Sequence, residues 1–271
     1  MIQDYDIVLI GCGQMGSAIL RGLRRAFTTQ DLQLLFCDAD ASRAEELASE
    51  LDGRSLKPSE LVGLSSERAR LFLCAVKPYQ LRDVLDGLSL KSGDVVVSVA
   101  AGVTLNALIS WSGHEGVHVV RTMPNTPALV GAGVTGVYSK SAVGLRVATA
   151  LFESVGEVVT LKSEDQFHGL TAISGSGPAY VFTILEALAD GGVLSGLDRV
   201  TARKLAVETL LGAATLVKEH PEQHTATLKD NVASPGGTTI TALRELERHG
   251  LRHALISAVD AAAKKSQAMG K

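Results

Sequence analysis

The sequence is poor in aromatic side chains and has no long block of one charge. Aromatic residues make up 4% of a 271-residue chain that is 46% hydrophobic, which predicts an aliphatic interior large enough for two domains. The 26 basic and 29 acidic residues are interspersed and give a net charge of −3. Such a surface has no electrostatic footprint for nucleic acid or for an anionic membrane, so both are excluded as partners.

Long apolar runs are also lacking. No uninterrupted apolar segment reaches the length of a membrane span. The start, MIQDYDIVLIG, enters a strand pattern without the layout of a signal peptide. These features predict a cytoplasmic protein.

Cysteine is scarce as well. Cys12, Cys37 and Cys74 are odd in number and widely spaced, which argues against a disulfide framework and against a zinc site. We predict three small buried side chains at or just after strand ends, and no metal. A redox-sensitive cluster near the mouth of the first domain stays an open alternative.

The pattern of apolar residues divides the chain into two halves. From Asp6 to about Lys162, five short β-rich runs alternate with helical stretches, which predicts a mostly parallel, twisted sheet. The five runs are DIVLIG, LQLLFCD, ARLFLCAV, DVVVSVA and VHVVRTM. After Ser163 the strands stop and helical stretches follow. The fold class is therefore α/β, with a sheet domain over residues 1–162 and an all-α domain over residues 163–271. The predicted helices of the second half are Glu164–Ile173, Pro178–Leu194, Arg199–His220, Glu222–Asn231, Thr238–His249 and Leu251–Ala268.

The stretch Pro178–Leu194 is apolar on nearly all sides but carries Glu186 and Asp190. It is too short and too charged to span a bilayer. A helix of this kind in a small helical domain is expected to be buried between subunits, which predicts at least an obligate dimer. The alternative is the central helix of a monomeric bundle.

The strongest local motif is a G-x-G-x-x-G that directly follows the strand DIVLI and opens a helix. In this context the first glycine permits a tight turn, the second lets a pyrophosphate approach the backbone, and the third allows close helix packing. A simple βα turn is the alternative, but the context favours a Rossmann-like domain that binds NAD or NADP. The predicted contacts are Gly11, Cys12, Gly13, Gln14, Met15 and Gly16.

Asp38 ends the second strand, in FCDAD. A carboxylate here can accept hydrogen bonds from the adenosine ribose hydroxyls and would repel a 2′-phosphate, which favours NAD over NADP. Ser42 and Arg43 could still receive such a phosphate, so the preference is only a lean toward NAD. Asp38 has an alternative role as the cap of the helix that begins at Ala41.

Three more segments follow strands of the first half, namely Ala75–Pro78, Ala100–Gly102 and Met123–Pro127. Open α/β sheets bind ligands at the carboxyl ends of their strands, and small residues there would let the nicotinamide half lie against backbone. Lys77 is either a solvated lysine or a ligand contact, and Asn125, in the proline-stiffened extended loop Met123–Pro127, could form one wall of the cleft. The predicted cofactor contacts are Ala75, Val76, Lys77, Pro78, Ala100, Ala101 and Gly102.

Two glycine-rich segments open helices of the second half and are candidate anion sites. Ser174-Gly175-Ser176-Gly177 precedes Pro178, which is favoured in a first helical turn. Ser234-Pro235-Gly236-Gly237 breaks a helix before Thr238-Thr239 opens the next, so its backbone N–H groups are accessible to a small anion. The plain alternative for this second segment is a helix–helix turn capped by a threonine.

Cofactor motifs without a Ser-His-Asp or metal-ligand set indicate hydride transfer to a small carboxylate. In order, the motifs GCGQMG, AVKP, VAAGVT, RTMPNTPALVGAG, SGSGPAY and LKDNVASPGGTT resemble those of the pyrroline-5-carboxylate reductases over nearly the whole chain. The last motif is the most specific, because many unrelated oxidoreductases share the nucleotide fingerprint. The resemblance implies NAD(P)H-dependent reduction of 1-pyrroline-5-carboxylate to L-proline, the last step of proline biosynthesis, in a homodimer or a pentamer of dimers.

The resemblance also implies a substrate site between the Rossmann-like domain and the helical dimerisation domain. The backbone of Gly236 and Gly237 would hold the pyrroline carboxylate, and Thr239 would lie beside the ring nitrogen as an orienting hydrogen-bond donor and catalytic residue. A protonated cyclic imine already accepts hydride, so orientation matters more than a strong acid. The implied substrate contacts are Asn125, Ser174, Gly175, Ser176, Gly177, Ser234, Gly236, Gly237, Thr238 and Thr239.

Two other functions compete with this one. A β-hydroxyacid dehydrogenase also has a Rossmann domain followed by a helical one, but it needs a catalytic lysine that SGSGPAYVFTILEALAD does not supply. A nucleotide-sensing protein without turnover would keep GCGQMG, yet it would have no reason to keep two anion-binding segments.

Overall fold

The computed structural model describes residues 2–27 and 32–269. Eight strands in this part of the chain form one sheet: β1 (Tyr5–Ile10), β2 (Gln33–Cys37), β3 (Arg54–Leu56), β4 (Ala69–Cys74), β5 (Val95–Ser98), β6 (His118–Met123), β7 (Gly133–Tyr138) and β8 (Gly156–Thr160). Their order is β3-β2-β1-β4-β5-β6-β7-β8. Neighbouring strands run parallel except for β6 and β7. The prediction of a mostly parallel, Rossmann-like sheet is confirmed, although β3, β7 and β8 were not predicted.

Helices cover both faces of this sheet. They are α1 (Gln14–Ala26), α2 (Ala41–Glu50), α3 (Pro58–Leu61), α4 (Pro78–Asp86), α5 (Leu105–Ser112) and α6 (Ala142–Phe152). Side chains alternate across a strand, so Ile7 and Leu9 of β1 pack in one core with α1 and α6. Val8 and Ile10 pack in a second core with α4 and α5. The segment Met123–Pro127 is extended only at its start, because a 3-10 helix begins at Thr126.

The chain forms two compact units, residues 1–175 with 262–271 and residues 176–261. The helices after the sheet are α7 (Gln166–Leu170), α8 (Gly177–Leu194), α9 (Arg199–Glu219), α10 (Thr225–Asn231), α11 (Thr238–Arg248) and α12 (Leu251–Met269), with a π-helical turn, Thr171–Gly175, between α7 and α8. The prediction of an all-helical second half is confirmed. The predicted domain boundary at residues 162 and 163 stays a prediction.

The helical unit buries few of its own side chains. A small cluster of Ala189, Ala202 and Ala206 joins α8 to α9. Every residue of α10, α11 and α12 is described, and none of them is buried. In α8 only Gly177 and Ala189 are buried, whereas Phe182 is 64% exposed. The alternative of α8 as the central helix of a monomeric bundle is therefore wrong.

Candidate functional site

Each of the three glycines after β1 is suited to its position for a different structural reason. Gly11 has φ +98°, and a Cβ there would lie 2.7 Å from the Ala75 carbonyl oxygen. A Cβ at Gly16 would lie 2.4 Å from the Gly11 oxygen, so close helix packing requires glycine. A Cβ at Gly13 would meet nothing within 4 Å. Gly13 is also the N-cap of α1 and makes no side-chain cap hydrogen bond, so a pyrophosphate fits over it, against the start of the helix.

Asp38 lies beside this glycine loop. Its Oδ2 accepts a hydrogen bond from Cys12 N at 2.6 Å, and its Oδ1 accepts one from Asp40 N at 2.9 Å. The N-cap of α2 is Asp40, which accepts from Ser42 N. The alternative role of Asp38 as the cap of this helix is therefore wrong.

Asp40 engages both groups that could receive a 2′-phosphate. Its carboxylate accepts a hydrogen bond from Ser42 Oγ at 2.6 Å and forms an ion pair with Arg43 Nε at 3.3 Å. The Ser42 hydrogen bond, above all, lowers the pKa of Asp40. This edge of the site therefore keeps a negative charge in front of Ser42 and Arg43.

A cavity of about 480 Å³ joins these groups to the end of β4. It lies where the strand order reverses between β1 and β4, which is where open α/β sheets bind dinucleotides. The β2 side would take the adenosine half and the β4–β5 side the nicotinamide half. The sequence-predicted residues that line the cavity are Gly11, Gly13, Asp38, Ala75, Val76 and Lys77.

The segment Ala100–Gly102 follows β5, on the nicotinamide side. Ala100 N donates to Ser98 Oγ at 3.2 Å, and Gly102 has φ +80°. Further along, Leu105 N donates to Glu164 Oε1 at 2.5 Å. Arg121 Nη1 donates to the same Oε1 at 2.7 Å. Neither Arg121 nor Glu164 was predicted from the sequence to belong to the site. A lone arginine within the apolar run VHVVRTM is a signal that a buried partner exists.

The structure brings Asn125 and Ser174 together. Asn125 Nδ2 donates to Ser174 O at 3.0 Å, and Asn125 Oδ1 accepts from Val134 N at 2.9 Å. Asn125 is 8% exposed, so both polar atoms of its amide are used in tying backbone segments together. The implied contact between Asn125 and substrate stays a prediction.

Both glycine-rich helix starts of the helical unit lack side-chain caps. Ser176 is the N-cap of α8 and Gly237 that of α11, and neither start has a side-chain cap hydrogen bond. The alternative of a threonine cap in the second segment is therefore wrong. Gly236 has φ +67° and open space where a Cβ would lie. Within this unit, all of which is described, no hydrogen bond joins Ser234–Thr239 to Ser176 or Gly177.

The cysteines are small buried side chains, as predicted. Cys12, Cys37 and Cys74 are free and buried, and the Cys12 thiol contacts Cys37 O at 3.7 Å. Burial raises their pKa values to about 12, 11 and 12, respectively. These thiols are thus protonated and weakly nucleophilic near neutral pH.

The described residues include neither a candidate metal-binding group nor a candidate membrane-spanning helix. No group of three or more His, Cys, Asp or Glu side chains there could hold a metal ion. No described helix is long and apolar enough to cross a membrane.

Comparison with known proteins covers both units. The family model described as pyrroline-5-carboxylate reductase dimerisation matches residues 164–269, and that described as NADP oxidoreductase coenzyme F420-dependent matches residues 6–102. A pyrroline-5-carboxylate reductase of Synechocystis sp. is 42% identical over 272 residues, which cover 99% of each chain. This chain belongs to the pyrroline-5-carboxylate reductase family.

Solved structures of the family have the same fold. A pyrroline-5-carboxylate reductase from Coxiella burnetii matches with a TM-score of 0.89 at 32% identity, covering 98% of this chain and 99% of the other. A Plasmodium falciparum pyrroline carboxylate reductase with NADP bound matches with a TM-score of 0.81 at 30% identity, covering 98% of each. The chain is an oxidoreductase enzyme that uses NAD or NADP, and its family favours this activity over the two competing functions.

Proposed function

We propose that this chain reduces 1-pyrroline-5-carboxylate to L-proline with a reduced nicotinamide cofactor in the cytoplasm, as the last step of proline biosynthesis. The observation that carries the proposal is the open Gly13 position at the uncapped start of α1, in a chain related over its full length to these reductases. Residues 1–162 would bind cofactor, and residues 163–271 would bind substrate and form the dimer.

The chemistry needs few ionisable side chains. The cofactor supplies a hydride to the imine carbon, and the ring nitrogen keeps the proton that makes the ring an iminium. The Gly236 N–H and the free N–H groups of the first turn of α11 bind the substrate carboxylate. The expected contact from Gly237 N is corrected, because this N–H already donates to Ser234 O at 3.1 Å. Thr239 Oγ1 accepts a hydrogen bond from the iminium N–H and so orients the ring, because a protonated ring nitrogen has no lone pair with which to accept one. Ser174–Gly177 supplies the second helix start that contacts the pyrroline ring.

A homodimer is the proposed assembly. Helices α10, α11 and α12 bury no residue within one chain, and their matched family model is a dimerisation domain. A groove of about 840 Å³ between α8 and α9 has Phe182, Leu185 and Val207 among its apolar lining residues. A second copy would cover these surfaces, and a pentamer of such dimers is the larger assembly that the resemblance implies.

We propose a preference for NADH over NADPH. Asp38 presents a carboxylate at the end of β2, and Asp40 engages Ser42 and Arg43. A 2′-phosphate would have to displace Asp40 from both groups and would meet two negative charges. The NADP-bound relative from Plasmodium falciparum shows that the family fold accepts the phosphorylated cofactor, so the preference rests on these local residues.

Steady-state oxidation of NADH and NADPH on addition of 1-pyrroline-5-carboxylate tests the proposal, with a 3-hydroxy acid plus NAD as the assay for the rival activity. Asp40→Ser keeps a good N-cap for α2 and frees Arg43, so we expect the NADPH KM to fall about tenfold with kcat unchanged. Asp86→Ser, at another exposed aspartate–arginine pair, is the control. Absence of pyrroline-5-carboxylate-dependent oxidation contradicts the activity, and a wild-type preference for NADPH contradicts the cofactor assignment.

A further inference from the structure

The sheet unit contains an ion pair that the proposed chemistry does not use. Arg121 lies in β6, and its guanidinium donates to Glu164 Oε1 at 2.7 Å. The guanidinium also lies over the Phe167 ring, 4.3 Å from its centroid. Arg121 is 7% exposed and Phe167 2% exposed, so this charge pair is held in an apolar setting where its geometry is well defined.

Glu164 also holds the start of α5. Its Oε1 accepts from Leu105 N, the first N–H of that helix, at 2.5 Å. A carboxylate at a helix N-terminus is favoured because it meets free N–H groups and partial positive charge. Since Leu105 comes three residues after Gly102, Glu164 fixes the downstream end of the segment Ala100–Gly102.

The upstream end of the same segment is tied to the neighbouring residue of β6. Thr122 Oγ1 donates to Ser98 O at 2.8 Å, and Ser98 Oγ accepts from Ala100 N at 3.2 Å. Two adjacent β6 residues, Arg121 and Thr122, therefore hold both ends of the segment. The Arg121 connection runs through the side chain of Glu164, and the Thr122 connection runs through that of Ser98.

We infer that Arg121 and Glu164 are positioning residues that hold Ala100–Gly102 against the nicotinamide half of the cofactor. They do so through Leu105 and touch neither cofactor nor substrate. The inference rests on the proposed function only in placing the dinucleotide across this edge of the sheet. Because β5 lies on the opposite side of β1 from β2, loss of the pair disturbs nicotinamide binding and leaves adenosine binding intact.

A second buried pair provides a matched control within the same unit. Arg70 and Asp94 are 2% and 0% exposed and form a bidentate ion pair. They join the start of β4 to the residue before β5, at the opposite end of the sheet from the strand ends that face the cofactor. Asp94→Asn therefore weakens the fold without reaching the Ala100–Gly102 segment.

The test compares two nucleotides on the full-length protein. NADH affinity is measured by fluorescence titration, and ADP-ribose, which lacks the nicotinamide, by calorimetry. For Glu164→Gln and Arg121→Gln we expect about tenfold weaker NADH binding, ADP-ribose binding within about twofold of wild type, and kcat lower by about tenfold or more. The double variant loses no more than either single variant, because the two residues act through one contact.

An equal change in both nucleotides, or no change in either, overturns the inference, and so does a comparable NADH-specific loss in Asp94→Asn. If the glutamine variants do not fold, Arg121→Lys and Glu164→Asp retain the charges with altered geometry and are judged by the same ratio. The binding measurements need no pyrroline-5-carboxylate. A wild-type protein that binds both nucleotides but does not turn over contradicts the proposed function alone.

Discussion

At the scale of single residues, the proposed site binds anions with backbone rather than with charged side chains. Gly13, Ser176 and Gly237 each stand at the N-cap of a helix that has no side-chain cap hydrogen bond. Where the N-cap is glycine, the lack of a side-chain acceptor costs only about a few tenths of a kcal/mol relative to a good cap. A phosphate or carboxylate that takes the free N–H groups would offset this cost on binding.

Thr239 is the residue whose hydroxyl we expect to matter for turnover. It is half-buried at the start of α11, and Thr239→Ala should lower kcat about tenfold or more because the iminium N–H loses the acceptor that orients it. The Kd for NADH should stay unchanged, since the cofactor segments lie in the other unit. Thr227→Ala on α10 removes the same hydroxyl elsewhere in the unit and serves as the control. Equal kcat values for the Thr239 variant and wild type remove the assignment.

Residue-scale inference from sequence succeeds where the chemistry is local. The steric roles of Gly11 and Gly16 follow from one short motif, because the turn and the helix start both lie within it. The Asp38 cap alternative failed because Asp40, two residues later, is the better-placed acceptor. Arg121 was missed because its partner, Glu164, is 43 positions away and no local pattern connects them.

At the scale of elements, β4 and β5 are joined by the buried pair of Arg70 and Asp94. Arg70 also donates to Leu64 O and Ser89 O, so one guanidinium organises two loops beside the strands. Its five N–H donors in a fixed plane suit this role. The pair explains how charged groups can be placed near the start of β4, a strand that is buried from Arg70 to Cys74.

Asp94→Asn should destabilise the sheet unit by about 3–5 kcal/mol, because it leaves the buried Arg70 charge without compensation. Glu50→Gln, at the exposed pair of Glu50 and Arg21, should change stability by less than about 1 kcal/mol. Denaturant unfolding of both variants with wild type measures the difference. Similar midpoints for the two variants contradict this account of the buried pair.

The strands that were not predicted from the sequence, β3, β7 and β8, have weak local patterns of apolar residues. β3 has three residues, and β8 is an edge strand in which Val159 is 44% exposed. In β7 two glycines interrupt the apolar pattern. Glycine within a strand weakens it, so this stretch of sequence is more typical of a loop. The five strands that were predicted are the buried parallel ones, whose continuous apolar runs are visible without tertiary context.

At the scale of the whole molecule, exposed apolar side chains concentrate in the helical unit. Phe182, Leu194, Val200 and Ile256 are each between 64% and 90% exposed. Apolar surface of this extent is uncommon on a protein that acts as a single chain. The apolar helix predicted from the sequence is mostly unburied within one chain, and its burial between subunits stays a prediction.

Phe182→Arg should weaken the dimer, because it replaces an exposed apolar side chain of the groove between α8 and α9 with a charge that a second copy would have to desolvate. We expect sedimentation velocity to show a dimer for wild type and a shift toward monomer for the variant, with a loss of at least about tenfold in association. Val62→Arg, at a 57% exposed position of the sheet unit, should remain dimeric. A wild-type monomer at micromolar concentration would rule out the proposed assembly.

The π-helical turn Thr171–Gly175 has a consequence for how chain length can vary. This wide turn follows Glu164, which Arg121 holds, and it contains Ser174, whose carbonyl oxygen Asn125 holds. One residue added or removed here would rotate the following helix by about 100° about its axis and would break one of the two attachments. The spacing from Glu164 to Ser174 should therefore be invariant in any functional variant, even where the residues themselves differ.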